Sequence, residues 1–352
     1  MIMNKKLLST ALLAVLLFFA GGQWADAASW RINNNANRHA HFTDINAAMS
    51  SNSGVSDGDT LYLDPGCLIT STQNVTKRVT IIGTGFLLDG SVLQEAAIIG
   101  GLNIKASGTK VEGVRLSKLS DKQAKTAIQA NNVTLERCRY DHISVEGQYA
   151  IIRQCCGYRI YGCGASDPKS SNCTIENCVI ATSGTISVFN LSMPIIRNNY
   201  SHCEYSGYTF EGISNGSITN NLLLRTNGSN LNKFFNNVDA TIKNNVMSCT
   251  ENALGSTYPN NVYLGSLPEG TYYQHPPIDT DKTDADLPIL KDLNALHGAA
   301  TDGGDCGPFG GLYPYVPSGY PFGMPHFESS VVGTRPQSGQ VSVTQQVTIQ
   351  KQ

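Results

Sequence analysis

The chain has 352 residues, of which 41% are hydrophobic and only 15% charged, with a formal net charge of −2 at pH 7. A nearly neutral surface gives no electrostatic ground for binding nucleic acid or an anionic membrane, and apolar residues recur too regularly for a disordered chain. Gly, Asn, Ser and Thr replace the missing charges, a composition that suits many short strands and turns and is poor for helices.

The first residues read as a secretory signal. Lys5 and Lys6 form a positive start, Leu7 to Ala20 is uncharged and mostly apolar, and Ala25-Asp26-Ala27 is a small-x-small cleavage site. The apolar run is shorter than the roughly 20 residues a spanning helix needs, so residues 1–27 are expected to be removed and the mature chain to start at Ala28. The protein is therefore expected in the periplasm, on the cell surface or outside the cell, and not as an integral membrane protein. The first cysteine is Cys67, far from the cleavage site, so lipoprotein processing is not expected.

Residues 28–57 are expected to form an N-terminal cap. Thr43 or Asp44 can cap a short helix, whose Ile45, Ala48 and Met49 share one face. The alternation from Asp59 to Leu63 predicts a strand.

Between residues 58 and 265 a short phrase recurs: an aliphatic anchor, one variable residue, then a pair drawn mostly from Asn and Cys. It begins at Leu135, Ile152, Ile175, Ile196, Ile218 and Ile242, with a weaker copy at Val111, and the spacings from Val111 are 24, 17, 23, 21, 22 and 24. No helical face has this period. It is the length of one solenoid coil with short strands joined by turns. About nine coils of ~22 residues at ~4.8 Å each make a rod of roughly 40–45 Å.

Stacked coils put equivalent residues above one another. Asn177, Asn198, Asn220 and Asn244 then form one column, read as a ladder in which each amide bonds the next. Cys138, Cys155 and Cys178 head the neighbouring column and read as a buried thiol stack. The mature chain holds ten cysteines, none with zinc-site spacing. Cys163 and Cys173 flank one loop and could close it with a disulfide.

These phrases, with the segments His41–Ala48 and Gly58–Gly66, resemble the pectate-lyase-like family of parallel β-helices, in particular bacterial secreted β-helix repeat proteins. The resemblance covers about two thirds of the mature chain. It implies an all-β, single-stranded right-handed parallel β-helix with an N-terminal capping helix. It also implies work on or near polysaccharide, although this fold hosts many activities. Lyases of the family use a Lys or Arg base, often with Ca²⁺ held by several acids, and its glycosidases use paired or clustered Asp.

Residues 266–352 change character. Residues 266–300 are irregular, with a short helical pattern at Leu287–Leu296. Beyond them, prolines from Pro308 to Pro336 interleave with Phe309, Tyr313, Tyr315, Tyr320, Phe322 and Phe327, and Val341, Val343, Val347 and Ile349 alternate as a terminal strand. This segment is expected to cap the open end of the last coil, or to bind carbohydrate through its aromatics. Asp302 and Asp305 are either a calcium contact or a turn.

Counting along the repeat places Asp141, His142, Arg159, Tyr161, His202, Glu204 and Tyr205 on one patch. His142, Arg159, His202 and Glu204 are the candidate catalytic residues; Asp141, Tyr161 and Tyr205 are the candidate substrate contacts. Glu146, Arg153, Glu211 and Lys233 are lesser candidates. Against catalysis, three stacked acids for a calcium site are missing, and so is a stacked Asp pair. Phosphate-loop, GxSxG and HExxH motifs are absent too. The reading is an exported β-helix protein that interacts with polysaccharide. Its alternatives are a polysaccharide lyase or glycoside hydrolase, Ca²⁺ entering only with the lyase, and a structural surface adhesin.

Overall fold

The anchors of the repeat do stack. In the computed structural model, Trp30, Leu61, Ile81, Val111, Leu135, Ile152, Ile175, Ile196, Ile218 and Ile242 face one another in register down a single column of parallel strands. The described residues are 27–86, 96–117, 124–163, 170–182, 187–203, 207–225, 233–249, 257–265, 294–316, 319–321, 325–332 and 343–349. They contain 24 strands joined in one parallel network, a parallel β-helix with one small α-helix.

Three sheets wrap the core. Sheet A carries the anchors. Sheet B follows each anchor after a two-residue turn and includes Cys156–Gly157, Val179–Thr182, Tyr200–Cys203 and Leu222–Arg225. Sheet C includes Lys125–Ile128, His142–Val145, Ile160–Gly162, Val188–Ser192 and Phe210–Ser214. Leu135, Ile143, Ile152, Ile160, Ile175, Ile180, Ile196 and Leu223 point inward into one continuous apolar core. Strand alternation explains this: residues i and i+2 share a face, so each short strand lends one or two aliphatics to the interior.

The turn from sheet A to sheet B corrects the expected ladder. Asn177, Asn198, Asn220 and Asn244 all hold φ between 52° and 60°, the left-handed region that Asn tolerates best after Gly. Their side chains face away from the core. The ladder is the next residue along. Asn199 Nδ2 donates to Asn221 Oδ1 (3.0 Å), Asn221 to Asn245 (2.9 Å) and Asn245 to Asn261 (3.0 Å). Each amide also donates to an anchor carbonyl one coil back: Ile175, Ile196, Ile218 and Ile242. Cys138, Cys155 and Cys178 continue this inner column, their thiols directed at the carbonyls of Val111, Leu135 and Ile152. All three are buried, and burial pushes the Cys138 and Cys155 thiols far up. The disulfide envisaged for Cys163 and Cys173 is not formed: Cys163 is exposed, and Cys173 lies buried inside its coil.

At the N-terminus the helix Ile45–Met49 is capped by Asp44, whose carboxylate accepts from Ala47 N (2.7 Å), and Ile45, Ala48 and Met49 are its buried face. The stack starts earlier than expected. Ser29–Ile32 pairs with Thr60–Leu63 as the first strand of sheet A, inside the segment read as a cap.

At the other end, the segment read as lying across the open coil instead runs along the flank. Residues 294–316 and 319–321 form a strap that travels back down the rod over the outer face of sheet B. Asn244 Nδ2 donates to Ala299 O (3.0 Å), Asn220 to Thr301 Oγ1 (3.2 Å), Asn198 to Asp305 O (3.2 Å), Asn177 to Pro308 and Gly310 O (2.9 and 2.6 Å) and Gln154 Nε2 to Pro314 O (2.6 Å). At the far end Pro321 packs on Gly113, where φ is +65° and a Cβ would sit 2.7 Å from the proline ring. The turn asparagines are therefore rungs to the strap, not to each other. Under it lies a second apolar cluster of Cys156, Val179, Tyr200, Leu222, Leu224 and Val246 with Leu296, Ala300, Cys306 and Tyr315. Residues 287–293 of the expected helical pattern lie outside the described residues; Asn294–Leu296 form one 3₁₀ turn. Val343–Ile349 is a strand, paired antiparallel with Pro325–Val332. Among the described residues no helix is long and apolar enough to cross a membrane.

Candidate functional site

Sheet C offers the outward face that the strap leaves uncovered. Its core residues Ile143, Val145, Ile160 and Val188 point inward, so alternation turns His142, Ser144, Arg159, Tyr161, Phe189 and Glu211 outward. Two columns result. Lys125, His142 and Arg159 stand on consecutive coils. Beside them stand Ala127, Ser144, Tyr161, Phe189, Glu211 and Asn236. Neighbours in a column are ~4.8 Å apart.

The side chains of this strip interlock. The Tyr161 and Phe189 rings stack at 5.1 Å and 11°. Lys125 reaches over Ser144, which is small, to within 5.8 Å of the Tyr161 ring centre. Glu146 accepts from Gln129 (3.0 Å) and Ser144 (2.8 Å) and lies 3.7 Å from Lys125, which together hold its carboxyl below the usual range despite partial burial. Glu211 accepts from Asn236 at 3.0 Å. Among the described residues the side chains of His142 and Arg159 form no hydrogen bond or ion pair. Burial, then the Arg159 cation, lowers the His142 pKa, with Asp141 opposing, so the imidazole is neutral at pH 7 and can accept a proton.

The other expected members lie elsewhere. Asp141 sits at the bend between sheets B and C, fully buried, accepting from Ser117 Oγ (2.8 Å) and Ala124 N (3.0 Å). His202 is on sheet B, paired with Ala181 and Leu224, and 1% exposed. The reason is a fork in the register. Strands Arg139–Val145 and Cys156–Gly162 run through the corner from sheet B to sheet C without a break. In the next coil the two sheets separate: Gly157 pairs with Ile180, but Ile160 pairs with Val188. A count from the anchor follows sheet B from there on and leaves His142 and Arg159 behind. Glu204 and Tyr205 lie outside the described residues. The structure thus brings together His142, Arg159 and Tyr161, with Glu146 and Glu211 of the lesser candidates. Lys233 lies at the coil end of sheet C, its carbonyl accepting from Arg225 (2.8 Å).

Sequence reasoning missed Lys125 and Phe189, which complete the strip. The signal was one of alternation: Lys125 precedes Thr126 and Phe189 follows Val188, two residues in register with the inward-facing Ile143 and Ile160 of sheet C. Also missed was a buried charge network on sheet A. Arg137, 1% exposed, bonds Glu112, Glu136 (3.0 Å) and Gln154 (2.9 Å). Lys110 joins Glu112 and Glu136 (2.7 and 2.9 Å), and Arg153 forms an ion pair with Glu136 (3.2 Å) beneath the Tyr313 ring of the strap at 4.3 Å. Against its burial, Arg137 and Lys110 hold the Glu136 carboxyl low, and contact with the two glutamates raises Lys110. Each charge faces an opposite one, so the network pins coils and strap together.

A cavity of about 370 Å³ opens within the strap, lined by Leu296, His297, Asp305, Cys306, Phe309, Pro314 and Tyr315. His297 Nδ1 and Asp305 Oδ2 are 3.0 Å apart at its exposed rim. The Cys306 thiol bonds the Asn244 carbonyl (3.1 Å) and is pushed up to about 12 by burial and by Asp305 and Asp302, so it is no nucleophile. Asp302 accepts from Gly304 N (3.0 Å) as a turn residue. Among the described residues no three acidic, His or Cys side chains gather as a metal site. In comparisons with models of known families, with curated proteins and with solved structures, the chain matches none.

Proposed function

We propose that the protein is exported and binds polysaccharide along the outer strip of sheet C, as a β-helix protein of the pectate-lyase-like kind. The observation that carries this reading is the pair His142 and Arg159, whose side chains form no hydrogen bond or ion pair among the described residues, beside the stacked Tyr161 and Phe189. A linear polymer matches a linear array. Hydroxyls of successive sugars meet donors and acceptors repeated at coil spacing, from Lys125 through Arg159 to Glu211 and Asn236. Stacking holds the aromatic pair in place, so little side-chain entropy is lost on binding.

The test is a panel of neutral and acidic polysaccharides on residues 28–352, read by affinity electrophoresis. Arg159→Ala and Tyr161→Ala should each weaken binding about tenfold, roughly 1.4 kcal/mol, with circular dichroism unchanged. Undiminished binding in both variants would sink the assignment of this strip.

A second reading, a lyase, is favoured by the neutral His142 imidazole beside the Arg159 cation. An unpaired cation can neutralise a substrate carboxylate while a neutral base takes the adjacent proton. Absorbance from unsaturated product, lost in His142→Ala, would distinguish it from recognition alone.

A further inference from the structure

The first residue after the small-x-small site is also, among the described residues, the first engaged in the fold. Ala28 O accepts from Thr60 N (2.9 Å), opening the pairing of sheet A. Ala28 N donates to Asp59 Oδ1 at 2.8 Å. Asp59 is 4% exposed. Its carboxylate accepts two more hydrogen bonds, from Trp30 Nε1 (2.8 Å) and Ser56 N (2.9 Å). Among the described residues no cation lies in bonding range of it. Lys77 acts only at a distance, its Nζ held by Ser50 O, Ser53 Oγ and Val55 O. A buried carboxylate satisfied by neutral donors alone still lacks a counter-charge.

We propose that Asp59 is the receptor for the processed N-terminus: cleavage between Ala27 and Ala28 creates an ammonium at the position already bonded to Asp59. In this step water adds across the Ala27–Ala28 amide under a signal peptidase. The C–N bond breaks, Ala27 keeps the oxygen as carboxylate, and the Ala28 nitrogen takes up protons to become the ammonium. An amide-to-carboxylate hydrogen bond at 2.8 Å then becomes an ammonium–carboxylate ion pair. Ala27 is exposed and Ala28 half-buried, so the cut leaves no chain end to bury. The leader is thereby linked to the fold: while it is attached, the first strand lacks its ion pair, and its removal locks that strand to the second coil.

The proposal rests on the export reading for the cut itself, and the test separates the two. The amino terminus of the exported protein, read by mass spectrometry, should be Ala28; another terminus overturns the assigned cut. Independently, a fusion cut cleanly before Ala28 is compared with the same chain carrying one extra Gly, each with Asp59 and with Asp59→Asn. The extra Gly should lower the melting midpoint by about 2–4 °C with Asp59 and leave it unchanged in the Asp59→Asn background. Equal shifts in both backgrounds, or none in either, overturn the ion pair. Should Asp59→Asn fail to fold, competitive acetylation of the Ala28 amine across pH decides. Facing Asp59, with Lys77 more distant and His41 edge-on to Trp30 at 5.5 Å, the amine should titrate above its ordinary range of about 7.7–8.0. A value within or below that range refutes the pair.

Discussion

Asn221 stands above Asn245 with its Nδ2 2.9 Å from the neighbouring Oδ1, and the same amide donates to the Ile196 carbonyl at 3.0 Å. Its own Oδ1 accepts from the backbone and the side chain of Asn199. One side chain therefore satisfies both senses of the column, in a fully buried site. Asn221→Ala should cost about 2–4 kcal/mol, because several buried groups lose partners at once. Asn221→Asp should be at least as damaging, since it sets an acceptor against Asn245 Oδ1 and the Ile196 carbonyl. Urea unfolding midpoints of the two variants measure this.

Gly157 is required by Tyr140. A Cβ at residue 157 would lie 2.3 Å from the Tyr140 ring, which fills the interior of the coil beneath. Gly157→Ala should destabilise by about 2–3 kcal/mol through overpacking. In a Tyr140→Leu background the same change should cost less than half as much, since the ring is gone. Near-additive losses in the four-protein cycle would refute the direct clash. Tyr140→Phe should be neutral or stabilising, because the buried hydroxyl has no hydrogen-bond partner among the described residues.

The strap shields an apolar stripe. A chain ending at Gly265 bares the outer face of Val179, Tyr200, Leu222, Leu224 and Val246. Such a patch drives association. The truncated protein should bind a hydrophobic dye strongly and elute as aggregate on size exclusion, where the full chain does neither. Tyr313→Ala, which removes only the ring over Arg153, should lower stability by about 0.5–1 kcal/mol and leave the chain as dispersed as the parent.

His142 gives the strip a pH dependence. Its folded pKa lies below the ordinary value, from burial first and Arg159 second. Folding thus favours the neutral ring. That contribution is complete above the unfolded value of about 6.5 and is lost as pH falls through the folded value. The acid-side loss of stability below pH 6.5 should be smaller in His142→Gln than in the parent. By NMR, Arg159→Gln should raise the His142 titration midpoint.

The coil period was legible because every coil must return an aliphatic to the same column, so anchor spacing survives any change in turn length. The ladder was displaced by one residue because two asparagines occupy the turn for different reasons. Asn198 is there for its left-handed backbone, and Asn199 for its inward amide; composition alone does not say which is which. The strip was half legible. His142 and Arg159 stack because the corners at Asp141 and Tyr158 are equally short, whereas the extra residues in the sequence between Thr182 and Val188 reset the count. The strap left no trace in any period. It binds mainly through backbone carbonyls, which every sequence has, and its partners are chiefly turn asparagines that looked self-sufficient.

Gln154 and Pro314 bond across 160 residues of chain, and this has a kinetic meaning. Coil upon coil, the rod can assemble from local contacts as the chain emerges. The outer side of sheet B, by contrast, stays bare until the last segment arrives and runs back from Asn244 toward Gly113. Loop closure over such a separation is slow relative to strand pairing. The final event of folding is then a single long-range docking, and the nascent rod is exposed to sticking and to chaperone capture for as long as that docking is awaited.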